Sequence, residues 1–250
     1  PALFSTEGEL DTWGSTSEGA NVEISGASCS PCAVVNYTLD ATPVLLAISP
    51  GSGATGSTLA IFATGLTTSA AANQVLVGGA ACDVLSAAEA TGAPWTSEPR
   101  TVVRVDCVIP LNEAGPQSVR VGQLGRGFDI PRQNFTFTQH LRLLDFTPRA
   151  GSLAGGTTLT LTVDGFPAPG NESFAEVSIG GAPCRVTFSN YTTATCVTTA
   201  ATAATSTLAA TVRGNVSDSA SCPSGCTFGY TAASTPTLSS ASADGLTVSL

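Results

Sequence analysis

Lysine and methionine are missing from these 250 residues, and histidine occurs once, as His140. All nine cations are arginines, which fits GC-rich coding and says nothing of chemistry. Charged residues are only 11% of the chain, so its surface is hydrated mainly by hydroxyls, 62 positions being Thr or Ser. A net charge of −9 with no basic stripe excludes a phosphate-binding surface, and no nucleic-acid partner is expected. Long apolar runs are also missing. VLLAI at 44–48 is among the longest, far short of the roughly 20 residues of a membrane span. With no signal peptide or initiator Met, any anchor is expected outside this segment. One histidine cannot build a repeated Ser-His-Asp set, and H-E-x-x-H and G-x-S-x-G do not occur. Catalytic residues, metal ligands and cofactors are therefore expected to be none.

What is present is a repeat. Residues 43–66 read PVLLAISPGSGATGSTLAIFATGL and 143–166 read LLDFTPRAGSLAGGTTLTLTVDGF; VLVGGAAC at 75–82 returns as VSIGGAPC at 177–184. Pro50 and Pro148 are 98 apart, Gly56 and Gly156 100, Cys82 and Cys184 102. A period near 100 residues with slippage in turns implies tandem Ig-sized domains. A closing strand occurs three times, VVNYT at 34–38, FTFT at 135–138 and TFGYT at 227–231. The expected domains are 1–42 (the end of one), 43–140, 141–235, and 236–250 (the start of another). The short Gln139–Leu141 linker suits domains strung end to end.

Within each period, alternation of two dominates. Leu59, Ile61 and Ala63 share one face, as do Leu159, Leu161 and Val163, with threonines between the latter. Val119 with Val121, and Leu208, Ala210 and Val212, read as further strands. Gly78-Gly79 and Gly180-Gly181 mark hairpins. Only 82–95, containing LSAAEA, suggests a helical turn. The fold class is all-β, with about seven short strands per sandwich.

Eight cysteines mean disulfides if the chain is secreted. Five sequons, at Asn36, Asn134, Asn171, Asn190 and Asn215, exceed the roughly two expected by chance and favour that route, with N-linked glycans at most of them. Repeat register pairs Cys82 with Cys107 and Cys184 with Cys196. Cys29–Cys32 and Cys222–Cys226 are read as local clips ahead of closing strands; redox and zinc readings fail because strands follow and the pairs lie in different domains. At the corresponding place the middle domain has GRGFD at 125–129, so the clip is dispensable. GSGATG at 51–56 matches a dinucleotide pattern, but TLAIFA after it is a strand, so it reads as a turn. Glu7, Glu9 and Asp11 read as a solvated loop rather than calcium ligands. Trp95 is a possible contact residue, although packing its own loop is the commoner role.

The pattern P-x-x-G, then GG-T-x-L-x-L-x-x-x-G-F, V-x-I-G-G-x-x-C, a second Cys opening a strand, and F-x-Y-T before T-P resembles IPT/TIG domains, best over 141–232 and with a longer Cys82–Cys107 loop over 43–138. That resemblance implies Ig-like β-sandwiches of the kind found in plexin-type receptors, fibrocystin-like ciliary proteins and some transcription factors, and it transfers no catalytic residue. The cysteine clip is most similar to fibrocystin-type extracellular arrays. The expected function is a non-catalytic structural or adhesive segment of a long secreted or cell-surface glycoprotein, with protein partners or self-assembly into a filament. A ciliary-surface or ciliary-hair role is its finer form. A ligand-binding receptor ectodomain and an accessory module of a polysaccharide-acting enzyme are the alternatives.

Overall fold

A computed structural model describes residues 18–20, 35–37, 42–92, 94, 98–130, 134–167, 175–213, 219–222 and 226–237. Strands make up most of it. The chain divides into two compact units, one carrying Thr58–Val108 and Ser118–Thr136, the other Gly51–Ser57, Ile109–Gln117 and the chain from Phe137 on. In the first unit, which also takes in Pro1–Pro50, β1 (Glu18–Ala20) pairs antiparallel with β2 (Val35–Tyr37).

The first repeat forms β3 (Val44–Ser49), β4 (Ser52–Gly53), β5 (Thr58–Thr64), β6 (Asn73–Val77), β7 (Ala80–Ala81), β8 (Asp83–Glu89), β9 (Val102–Val108), β10 (Gly115–Gln123), β11 (Gly127–Phe128) and β12 (Thr136–Gln139). One sheet has the order β3-β5-β9-β8, the other β4-β12-β10-β6-β7 with β11 paired on β10. The alternation read from sequence sets the core: Leu59, Ile61 and Ala63 are fully buried, facing inward with Val75, Val77, Val105 and Val121. Gly78 and Gly79 both have positive φ, +59° and +82°, the geometry of a two-residue hairpin whose twist matches its strands.

The second repeat forms β13 (Arg142–Thr147), β14 (Ala150–Ser152), β15 (Thr158–Asp164), β16 (Glu176–Ile179), β17 (Ala182–Ser189), β18 (Thr193–Thr198), β19 (Thr205–Arg213), β20 (Ser219–Ser221) and β21 (Thr227–Thr231). Their ladder runs β13-β15-β18-β17-β16-β19-β21-β14, with β20 on β19. Strand β17 is long enough to serve two neighbours, pairing with β16 through 182–184 and with β18 through 184–189. In the first repeat the same stretch is broken into β7 and β8 at Cys82.

Both repeats cross between sheets in the same way. Pro50 and Pro148, each after a cis peptide bond, follow β3 and β13. Proline has no N–H to continue a ladder. Beyond it, β4 and β14 pair in parallel with the closing strands β12 and β21. Gly53 and Gly151 permit that approach: a Cβ on Gly151 would lie 2.7 Å from the Phe228 ring, and one on Gly53 3.2 Å from the Phe137 ring. Both rings are fully buried.

Residues 83–89 are a strand and not the helical turn expected of LSAAEA. Pairing with β9 from Asp83↔Val108 to Glu89↔Val103 overrides alanine's helical preference. Short 3-10 turns occur instead at Ala70–Ala72 and Ala232–Ser234. The edge strands β3, β8 and β13 each carry a register shift, a bulge that blunts an open strand edge against foreign pairing, and the interior β17 carries another.

Candidate functional site

Cys82 and Cys107 are joined with Cα atoms 5.7 Å apart, Cys184 and Cys196 with Cα atoms 5.5 Å apart. All four are buried, tying the strand after the glycine hairpin to the strand that returns beside it. Cys222 is bonded to Cys226 between β20 and β21, and both sulfurs lie within 3.9 Å of the Leu144 carbonyl oxygen. Leu144 is the residue skipped at the β13 bulge. The clip therefore sits over the interrupted edge of that strand. Cys29 and Cys32 lie outside the described residues.

At the corresponding place the first repeat has a charge pair. Asp129, the last residue of GRGFD, is buried and its Oδ1 accepts from Arg120 Nε at 2.7 Å and from the Val121 backbone N–H at 3.1 Å. Arg120 also donates from Nη2 to the Asp129 carbonyl oxygen at 2.6 Å. Nothing in a single Arg and a single Asp nine positions apart marks this pair in the sequence; only the β10–β11 hairpin brings them together.

Among the described residues, metal-ligating atoms gather at Asp145, Cys222 and Cys226, within 4.8 Å of one another. The two sulfurs are bonded to each other, and Asp145 Oδ1 accepts from the Phe146 N–H and from Arg149. Those atoms are already committed, so the donor set suits a clip rather than an ion. The GSGATG segment runs from β4 through a turn, with Ser57 N–H donating to Ala54 O at 3.1 Å, into β5. A strand, not a helix N-terminus, follows the glycines, so it offers no pyrophosphate cradle. His140 in the linker donates its backbone N–H to Gly53 O at 2.8 Å. An open groove, walled by Leu76, Ala81, Val84 and Phe128, has Asp83 as its sole charged group.

Of the sequons, Asn134 is exposed, as its phase opposite the buried Phe137 requires. Asn190 lies at the tip of the β17–β18 hairpin. Asn36 lies on β2; Asn171, Asn215 and Trp95 fall outside the described residues.

The IPT/TIG domain family model matches residues 43–138 and again 141–230. The chain belongs to the IPT/TIG family. Human fibrocystin-L is 31% identical to it over 176 residues, which is 69% of the chain and 4% of that protein. Human plexin-B3 is 32% identical over 167 residues, 64% of the chain and 8% of that protein. The chain thus spans less than a tenth of either relative. Among solved structures, the plexin A4 full extracellular region aligns over 76% of the chain and 18% of its own, at 20% identity and a TM-score of 0.33. Each matched stretch encloses one buried cystine, Cys82–Cys107 in the first and Cys184–Cys196 in the second. No helix among the described residues is long and apolar enough to cross a membrane.

Proposed function

We propose that this chain is a non-catalytic structural or adhesive segment of a long secreted or cell-surface glycoprotein. The observation that supports it best is the pair of consecutive IPT/TIG matches, each enclosing a buried cystine, in a chain spanning a small fraction of its relatives. Buried cystines suit an oxidising compartment. The partner surface is protein, either another polypeptide or a second copy of the array, and the finer reading is a ciliary-surface or ciliary-hair component. Labelling the full-length protein on intact cells with a membrane-impermeant reagent tests the placement: labelling only after permeabilisation overturns it.

The plexin-B3 likeness favours a second reading, a receptor ectodomain in which one domain holds a protein ligand. A membrane-spanning helix and cytoplasmic signalling region in the full-length chain would select it over the structural reading.

A further inference from the structure

The β17–β18 hairpin places an exposed aromatic beside a sequon. Phe188 is 47% exposed, whereas Phe137, Phe146, Phe166 and Phe228 are fully buried. A bulge at Thr187 puts both 187 and 188 opposite Thr195; beyond it Phe188 is exposed, Ser189 is buried with its Oγ donating to Pro167 O at 3.0 Å, and Asn190, the first residue past the strand, is half-buried. Two positions on from Phe188, Asn190 stands in phase with it, with the inward Ser189 between them. In the sequence, no other sequon has an aromatic two residues before its asparagine; the others have Val34, Arg132, Pro169 and Arg213.

The turn also holds the sequon in a single shape. Asn190 Oδ1 accepts from the Thr192 N–H at 2.9 Å, the Thr192 hydroxyl at 3.1 Å and the Thr193 N–H at 2.7 Å. Asn190 N–H donates to Thr193 O at 2.8 Å, and the Tyr191 and Thr192 carbonyls accept from Gly165 and Val163. With the carboxamide oxygen fully engaged, the amide nitrogen is the end left for chemistry, and the loop is pinned to β15.

We propose that Asn190 carries an N-linked glycan whose first N-acetylhexosamine lies across the Phe188 ring and locks the β17–β18 hairpin. In the forming step Asn190 Nδ2 attacks the anomeric carbon of a lipid-pyrophosphate-linked oligosaccharide. The C–N bond forms as the anomeric C–O bond breaks, Nδ2 gives up one proton and the lipid pyrophosphate leaves. The aliphatic face of the sugar then meets the electron-rich face of the ring and removes apolar area from water. The proposal rests on passage through the secretory route.

The test secretes the chain from a eukaryotic host behind a cleavable leader, so the route is imposed and an empty Asn190 counts against this proposal alone. Reduction, alkylation and cleavage after arginine isolate 186–213, in which Asn190 is the only sequon. That peptide is expected to carry the glycan mass. Trimming by an endoglycosidase that leaves one N-acetylglucosamine should preserve the melting temperature, and N-glycosidase should lower it by about 4 °C or more. In the Phe188→Thr protein the difference between those two treatments should fall below half. An unoccupied 186–213 peptide overturns the proposal, and so does a drop that is absent or equal in the two proteins. Because the other sequons lose sugar equally in both, the difference reads this contact alone.

Discussion

The two IPT/TIG repeats secure the approach to their closing strands by different forces. In the first, β10–β11 is held by Arg120 against the buried Asp129 carboxylate; in the second, the chain after β20 is bonded through Cys222–Cys226 and covers the bulged edge of β13. An ion pair acts on the folded state and fails badly if one partner is lost, because the other stays desolvated. A disulfide across so short a loop acts mainly by restricting the unfolded chain, and its loss leaves no buried charge. The comparison teaches that the same region ahead of the closing strand can be fastened by an ion pair across a hairpin or by a covalent clip beyond one.

The strongest way to break that comparison is to remove what both repeats share. Replacing Cys82 and Cys107 together by alanine should cost about 3–4 kcal/mol, slightly more than the same change at Cys184 and Cys196, since the first loop is longer, 25 against 12 positions. Urea unfolding followed by circular dichroism measures both; an effect below about 1 kcal/mol would remove the cystines from the account of stability.

Arg120→Ala comes next, at about 2–3 kcal/mol, with Asp129 left buried beside only a backbone donor. The double change of Arg120→Leu with Asp129→Val should recover at least half of that, because it leaves no unpaired charge. Denaturation midpoints for the single and double variants decide it, and a double variant worse than Arg120→Ala would show the pair to be stabilising in its own right.

Gly151→Ala should cost about 1–3 kcal/mol and Gly53→Ala less, because at Gly151 the new Cβ meets Thr157 Oγ1 at 2.5 Å and the Phe228 ring at 2.7 Å, but at Gly53 it meets Ser57 Oγ at 2.7 Å and the Phe137 ring only at 3.2 Å. Equal costs would mean that the parallel β4–β12 and β14–β21 pairings are equally tight.

The smallest effect belongs to the covalent clip. Cys222→Ser with Cys226→Ser should cost about 1–2 kcal/mol, less than Arg120→Ala. Its local signature is faster amide exchange across β20 and β13, and exchange unchanged there would detach the clip from the edge it covers.

Much of each repeat is legible in the sequence for a local reason. The inward faces of β5 and β15, the hairpins at Gly78-Gly79 and Gly180-Gly181, and the strands around Val119 and Ala210 follow from period-two alternation and from glycine's freedom at positive φ. The reading of 82–95 goes astray because Ala-rich LSAAEA has no local bias toward a strand; its partner, β9, begins at Val102. Strands of two or three residues such as β4, β7 and β14 escape any periodicity test, since so short a run has no period.

By itself, then, the sequence determines the β character, the repeat, its phase and the fold family, because hydrophobic alternation, turn glycines and cysteine register are written along the chain. Tertiary structure alone decides the parallel return of β4 and β14 onto the closing strands, the conversion of an alanine-rich stretch into β8, the Arg120–Asp129 closure and the bulge at Thr187 that leaves Phe188 exposed. Each of these depends on a neighbour's register or on a bulge. A one-residue shift in a strand sends every side chain to the opposite face, and that shift is set by the partner strand rather than by the residues themselves.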